Sequence, residues 1–216
     1  MENTKPYYYF VANEGYVRVV ADEEQNILPL VLLKTKLARN FSAYGLIKKD
    51  LGLVKDTLTL LEAGVENKTI KQSLSFFAVV TYAKCYAQAA GRGVSLNINA
   101  IKELTKEVND EHDRLILQRN QYVAHGGGEG WEQNAIVASL DMDNQVYKQI
   151  YPNIVFLNDI DSQLANFRLL VTFVDDYVTT QLKKSFSRLR DETAATDFEE
   201  LVAAAFTPPS HELQRF

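Results

Sequence analysis

Apolar residues recur at helical spacing along four long stretches of the chain, with polar residues on the other side of each turn. Such spacing predicts amphipathic helices. The four predicted helices span about residues 30–61, 69–90, 99–125 and 160–190. Gly45 and Gly52 leave room for a break in the first of them. Because four such helices can bury their apolar sides against one another, the pattern predicts a mainly all-α fold, an up-and-down four-helix bundle.

The second and third helices depart from a simple amphipathic pattern. The second is apolar on more than one face, which predicts a place in the middle of the bundle. Its apolar positions are Leu74, Phe76, Phe77, Val79, Val80, Tyr82 and Tyr86. The third has a seam made of Ile101, Leu104, Val108, His112, Leu115, Arg119 and Tyr122. A histidine and an arginine therefore stand one heptad apart in an otherwise apolar seam. The glycines at 126–128 end this helix.

Two β-rich regions accompany the helices. Residues 6–21 predict an edge hairpin around the turn Asn13-Glu14-Gly15, and residues 133–158 predict a second hairpin inserted after the third helix. A short helix is predicted over residues 197–206, followed by a loose tail. The expected organisation is a hairpin extension at 1–26, a helical bundle at 27–190, and a short helix with the tail at 191–216.

Composition narrows the chemistry available to the protein. Hydrophobic residues make up 46% of the 216 positions, which allows a large core. The single cysteine, Cys85, excludes an internal disulfide framework and a Cys-rich metal site, and we expect it to be a small buried apolar group. The three histidines match no usual ligand spacing, so no metal is expected. No other cofactor is expected either.

The charge and hydropathy of the chain bear on its surroundings. No uncharged apolar run reaches about 18 residues, and the first residues lack the pattern of a secretory signal. The expectation is a cytoplasmic protein with no membrane contact. A net charge of −5 argues against broad binding of nucleic acid, although an acidic protein can still carry a local basic pocket.

Arg119 and His125 combine two complementary kinds of chemistry at the end of the third helix. A guanidinium holds phosphate, and an imidazole moves a proton near neutral pH. On an ideal helix the two residues lie about 120° apart, so they converge only if the helix unwinds at the glycines or if two copies meet at a twofold axis. The plainer alternative is that both are surface residues, or that Arg119 pairs with a carboxylate from another helix.

Three further residues are candidates for the same site. His112 and Arg119 are costly in an apolar seam unless they are partnered or face a cleft. Tyr82 and Lys84 could line that cleft, with Lys84 adding positive charge. The alternative is that Tyr82 packs in the core and Lys84 is solvated.

The residues around Arg119 resemble a known family. An arginine followed by Asn120, with the pair Ala124-His125 closing the helix, resembles the ribonuclease signature of the HEPN superfamily. Residues 82–86 and the pair Glu111-His112 are similar to abortive-infection-like and uncharacterised bacterial HEPN proteins. The resemblance covers roughly residues 27–190, and the four-helix pattern agrees with it.

The resemblance implies a metal-independent endoribonuclease that acts as a homodimer with a composite cleft. Arg119 would hold the scissile phosphate of RNA, His125 would act as general acid or base in attack by the 2′-hydroxyl, and Asn120 would position either group. Apart from the resemblance, His112, Tyr82, Lys84 and Tyr122 are candidate binding residues for the same site.

A role in phage defence or as the toxin of a toxin–antitoxin pair, with an antitoxin protein as partner, would follow from the resemblance. Two alternatives stay open. One is a non-catalytic module that binds a nucleotide, RNA or a partner protein, and the other is a structural helical domain in which the motif is an accident.

Overall fold

A computed structural model describes residues 7–11, 15–20, 26–87, 93–101, 104–123, 132–142, 145–156, 161–212 and 214–215. In this part of the chain the fold is mainly helical, with two small antiparallel hairpins. The helices are α1 (Lys36–Glu62), α2 (Lys68–Lys84), α3 (Lys106–Leu117), α4 (Leu164–Ala195) and α5 (Phe198–Ala204), and a π-helical turn (Gln118–Val123) continues α3. The strands are β1 (Tyr7–Val11), β2 (Gly15–Arg18), β3 (Glu132–Asp141), β4 (Val146–Phe156) and β5 (Gln214–Arg215).

The helices begin where a side chain can satisfy the first free amide groups. Asn67, Thr105 and Asp197 accept hydrogen bonds at the N-termini of α2, α3 and α5. Because Thr105 caps α3, the third helix begins at Lys106, and the predicted start at residue 99 was wrong. Residues 98–100 instead form a separate 3₁₀ turn.

The first helix also begins later than predicted. Leu30 forms an isolated antiparallel bridge with Phe206, in which each residue's amide donates to the other's carbonyl at 2.8 and 2.9 Å. This pairing uses the backbone groups that a helix would need. Gly64 adopts a φ of 87°, which suits a glycine after a helix C-terminus, and α1 ends just before it.

The described chain divides into two compact units, residues 1–39 with 186–216, and residues 40–185. In the second unit, α1, α2, α3 and α4 all contribute to one apolar core, in agreement with the predicted apolar stripes of the first and fourth helices. The prediction that the second helix lies in the middle of a bundle was wrong, because Phe77 is 45% exposed and Val80 is 38% exposed.

Charged side chains join α1 to α4 beside this core. Asp175, which is buried, accepts a hydrogen bond from Lys48 at 2.6 Å and another from Lys55 at 2.5 Å. Arg168 forms a second pair with Glu62 at 2.6 Å. These contacts fix the register of the two longest helices relative to each other.

The two hairpins confirm the predicted β-regions. In the first unit, β1 pairs with β2, and β5 pairs with the other edge of β1 through Tyr7 and Arg215. The prediction of a loose tail was therefore wrong for its last described residues. In the second unit, β3 and β4 pair from Glu132 and Phe156 to Asp141 and Val146, within the region predicted as the second hairpin except for Glu132.

Candidate functional site

The π-helical turn that follows α3 carries Arg119 and Asn120. A π-helical turn holds one more residue than an α-helical turn, so it rotates the following side chains away from the seam of the preceding helix. Gln118 is 1% exposed, whereas Arg119 and Asn120 are exposed. The prediction that Arg119 shares a buried seam with His112 was therefore wrong. The turn packs against α2.

Arg119 and Asn120 form a pair of their own on this surface. The Arg119 Nη1 donates a hydrogen bond to Oδ1 of Asn120 at 2.9 Å. Within the ranges that the structure describes, no carboxylate lies at ion-pair distance from Arg119. The other N–H groups of this exposed guanidinium can therefore donate hydrogen bonds to a phosphate. His125 and the side chain of Tyr122 lie outside the described residues.

His112 belongs to a buried chain of hydrogen bonds. Its Nδ1 lies 2.8 Å from the hydroxyl oxygen of Tyr82, and that hydroxyl lies 3.1 Å from the hydroxyl of Tyr86. His112 is 6% exposed, and Tyr82 is fully buried, with its ring in a T-shaped contact with the ring of Phe167. The Tyr82 hydroxyl has a single hydrogen and can donate in only one of these two bonds. In the other bond, His112 or Tyr86 is the donor.

Burial sets the ionisation of this group. It lowers the pKa of His112, with a smaller opposing effect from Asp113, and it raises the pKa of Tyr82 and Tyr86. In all three side chains burial therefore favours the uncharged form. The structure places His112 and Tyr82 together inside the core, in agreement with the alternative that Tyr82 packs there. There they support the surrounding helices and do not face a cleft.

A second polar group, which the sequence analysis missed, joins α3 to the π-helical turn. Arg114 donates to both carboxylate oxygens of Glu111 at 2.7 and 2.6 Å, and to Oε1 of Gln118 at 3.3 Å. In the described part of the chain, the Gln118 Nε2 is buried without a hydrogen-bond partner. The spacing of these residues, three and then four positions apart, is the signal that could have revealed the group.

Lys84 has a structural partner. Its Nζ lies 3.4 Å from Oδ1 of Asp50, and its side chain is 53% exposed whereas that of Asp50 is 8% exposed. Lys84 thereby balances a buried carboxylate and presents part of its charge to solvent. Cys85 is buried, which confirms the prediction for that residue.

No described group of three or more His, Cys, Asp or Glu side chains is placed to hold a metal ion. None of the described helices is both long and apolar enough to span a membrane. No family model, no curated protein and no solved structure matches this chain.

Proposed function

We propose that the chain is a metal-independent endoribonuclease of the HEPN type, in which α1, α2, α3 and α4 form an up-and-down four-helix bundle. The observation that carries the proposal is the exposed Arg119–Asn120 pair on a π-helical turn, directly before Ala124-His125. Interruptions of this kind in an α-helix are frequent at functional sites. The family resemblance of residues 119–125 supplies the reaction.

In the proposed reaction, Arg119 holds the non-bridging oxygens of the scissile phosphate, and the hydrogen bond that its guanidinium donates to Oδ1 of Asn120 orients it. The RNA 2′-oxygen attacks phosphorus while its proton passes to the imidazole of one His125. The bond from phosphorus to the 5′-oxygen breaks, and that oxygen takes a proton from the second His125 of a homodimer. The products are a cyclic phosphate and a 5′-hydroxyl. A positioned acid or base contributes roughly 10²–10⁴ in rate.

The remaining candidates take supporting roles in this proposal. The buried pair of His112 and Tyr82 holds α3 in place against α2, whereas Lys84 and Tyr122 contribute to RNA binding. We propose a cytoplasmic toxin of a defence or toxin–antitoxin system, whose partner is an antitoxin protein. The single, buried cysteine suits a reducing compartment.

A second candidate function is a non-catalytic module that binds RNA or a nucleotide. One observation favours it: the described residues include an exposed group that can hold phosphate, but burial favours the uncharged form of the described histidine on α3. In such a module Arg119 and Asn120 would capture a phosphate without cleaving the chain.

A cleavage assay in the presence of EDTA tests the proposal. Wild type is compared with Arg119→Ala and His125→Ala, and with Arg188→Ala, which removes an exposed arginine on α4. Cleavage by wild type and Arg188→Ala, with losses of about 10²-fold or more in the other two variants, is expected. RNA that is bound in an Arg119-dependent way but never cut would favour the binding module.

A further inference from the structure

The hairpin of β3 and β4 carries an apolar surface that the described part of the chain leaves exposed. Directly paired residues share a face of a hairpin, and the pairs on one face are Ile136 with Pro152, Ala138 with Ile150, and Leu140 with Tyr147. We call these six residues the apolar arm face. Its four large side chains are mostly exposed: Ile136 is 71% exposed, Ile150 61%, Leu140 64% and Tyr147 68%.

The opposite face of the same hairpin is mixed in character and less exposed along β3. It carries the pairs Val137 with Tyr151, Ser139 with Gln149, and Asp141 with Val146, and the Asp141 carboxylate lies 3.2 Å from Nζ of Lys148. On β3, Val137, Ser139 and Asp141 are half-buried, whereas Ile136, Ala138 and Leu140 of the apolar arm face are exposed. An ordinary solvated hairpin would expose the more polar face and bury the apolar one. Among the described elements, the principal contacts of β3 and β4 are with each other. A two-stranded hairpin is marginally stable in water unless its apolar face is packed against something.

We propose that the apolar arm face is an interface with a second copy of this chain. Two such hairpins packed face to face, about 10 Å apart, form a four-stranded two-layer structure around a twofold axis. The inference deepens the proposed function, on which it rests for the role of the second copy in cleavage.

The size and charge of the face fit this occupant. Its four large side chains expose roughly 500 Å², which lies within the range of the largest apolar patch on a typical monomer, a patch that is often functional. A stable interface of about 800 Å² per partner, about 60% of it apolar, needs a similar amount. The face carries no charged residue. Two copies of an acidic chain with a net charge of −5 can therefore meet here without placing like charges opposite each other.

A matched pair of neighbouring substitutions tests the interface. Ile150→Asp places a charge on the apolar arm face, and Gln149→Asp places the same charge on the opposite face one residue away. Masses from sedimentation equilibrium over a concentration series should give a dimer for wild type and Gln149→Asp. The dimer dissociation constant of Ile150→Asp should rise at least roughly 100-fold, because the dimer would bury two unpaired charges.

A second variant controls for the possibility that Ile150→Asp only unfolds the hairpin. Replacing residues 133–155 with a Gly-Ser linker should give a monomer that keeps its helical circular dichroism. The proposal is overturned if wild type is monomeric throughout the series, if it is monomeric and binds a different protein through this face, or if it is a dimer that Ile150→Asp leaves unchanged. RNA cleavage by wild type, with Arg119→Ala as the inactive control, is measured separately from the mass. Failure of the interface and failure of the proposed function can therefore be told apart.

Discussion

The hydroxyl oxygen of Tyr82 lies 2.8 Å from Nδ1 of His112, in the core of residues 40–185. Both side chains are less than 7% exposed, so neither can replace this bond with one to bulk water. The pair lies between α2 and α3, the two helices that pack next to the π-helical turn. It therefore links the stability of the core to the placement of Arg119.

Removing the Tyr82 hydroxyl should destabilise the protein more than removing that of Tyr86. Tyr82→Phe leaves the buried Nδ1 of His112 without its partner, which costs about 1–3 kcal/mol. Tyr86→Phe removes only the hydroxyl-to-hydroxyl bond of a side chain that is partly exposed. Urea unfolding of both variants measures the difference, and an equal or larger loss for Tyr86→Phe would refute the assigned role of Tyr82.

Stability should fall as the pH drops below about 6.5 because of His112. Its pKa is lower in the folded protein than the ordinary value of 6.5, so the unfolded chain binds a proton more readily. The stabilisation is complete above 6.5 and is lost as the pH falls from there towards the folded pKa. His112→Gln, which can keep a hydrogen bond to Tyr82, should flatten this part of the curve. His211→Gln, at an exposed residue, should not, and the idea fails if both variants follow wild type.

Gln118 should tolerate an apolar residue of similar size. Its Nε2 is buried with no hydrogen-bond partner among the described residues, and its Oε1 accepts one long bond from Arg114. Gln118→Met removes the unpaired donor and keeps the volume, so its free energy of unfolding should stay within about 1 kcal/mol of wild type. Gln118→Ala should lose about 2–4 kcal/mol through the cavity it leaves. Equal losses in thermal or urea unfolding would show that the amide itself stabilises the turn.

The contact between α1 and α4 should weaken in acid. Burial opposes ionisation of Asp175, but the hydrogen bonds and charges of Lys48 and Lys55 outweigh it and hold the pKa below 3.8. This stabilisation is present above the pKa of the unfolded chain and is lost as the pH falls through the folded pKa. Asp175→Asn should cost about 1–3 kcal/mol at pH 7, since both lysines also reach solvent, and should flatten the acid limb of the stability curve. Asp176→Asn, at the exposed neighbour, serves as the control. A loss no greater than that of the control would contradict the assignment.

The apolar periodicity was sufficient to predict the long helices but not their ends. Ile47, Leu51 and Val54 recur at helical spacing and are buried on α1, which continues through Gly45 and Gly52. α1 begins after Thr35, whose Oγ1 accepts a hydrogen bond from the amide of Ala38 at 3.2 Å. Before it, Leu30 forms a bridge with Phe206, a residue far away in sequence. No local pattern could reveal that pairing, because it forms only when the chain is folded.

The sequence was sufficient to predict which residues are candidates for the site, but not how they are arranged. The sequence singled out Arg119, Asn120, His112 and Tyr82, and the structure brings His112 and Tyr82 into hydrogen-bond contact. A period of 3.6 residues per turn cannot anticipate a π-helical turn, which buries Gln118 in the place expected for Arg119. His125 lies outside the described residues, so its approach to Arg119 stays a prediction.

The most direct test of the proposed chemistry uses two oligonucleotides that differ by one oxygen atom. The first is an RNA, and the second carries 2′-deoxyribose at the position where the first is cut, with EDTA present in both reactions. The account predicts that wild type cuts only the RNA and leaves a cyclic phosphate, and that Arg119→Ala cuts neither. Cleavage of the 2′-deoxy oligonucleotide at that position, or no cleavage of any RNA by a folded wild-type protein, would contradict it.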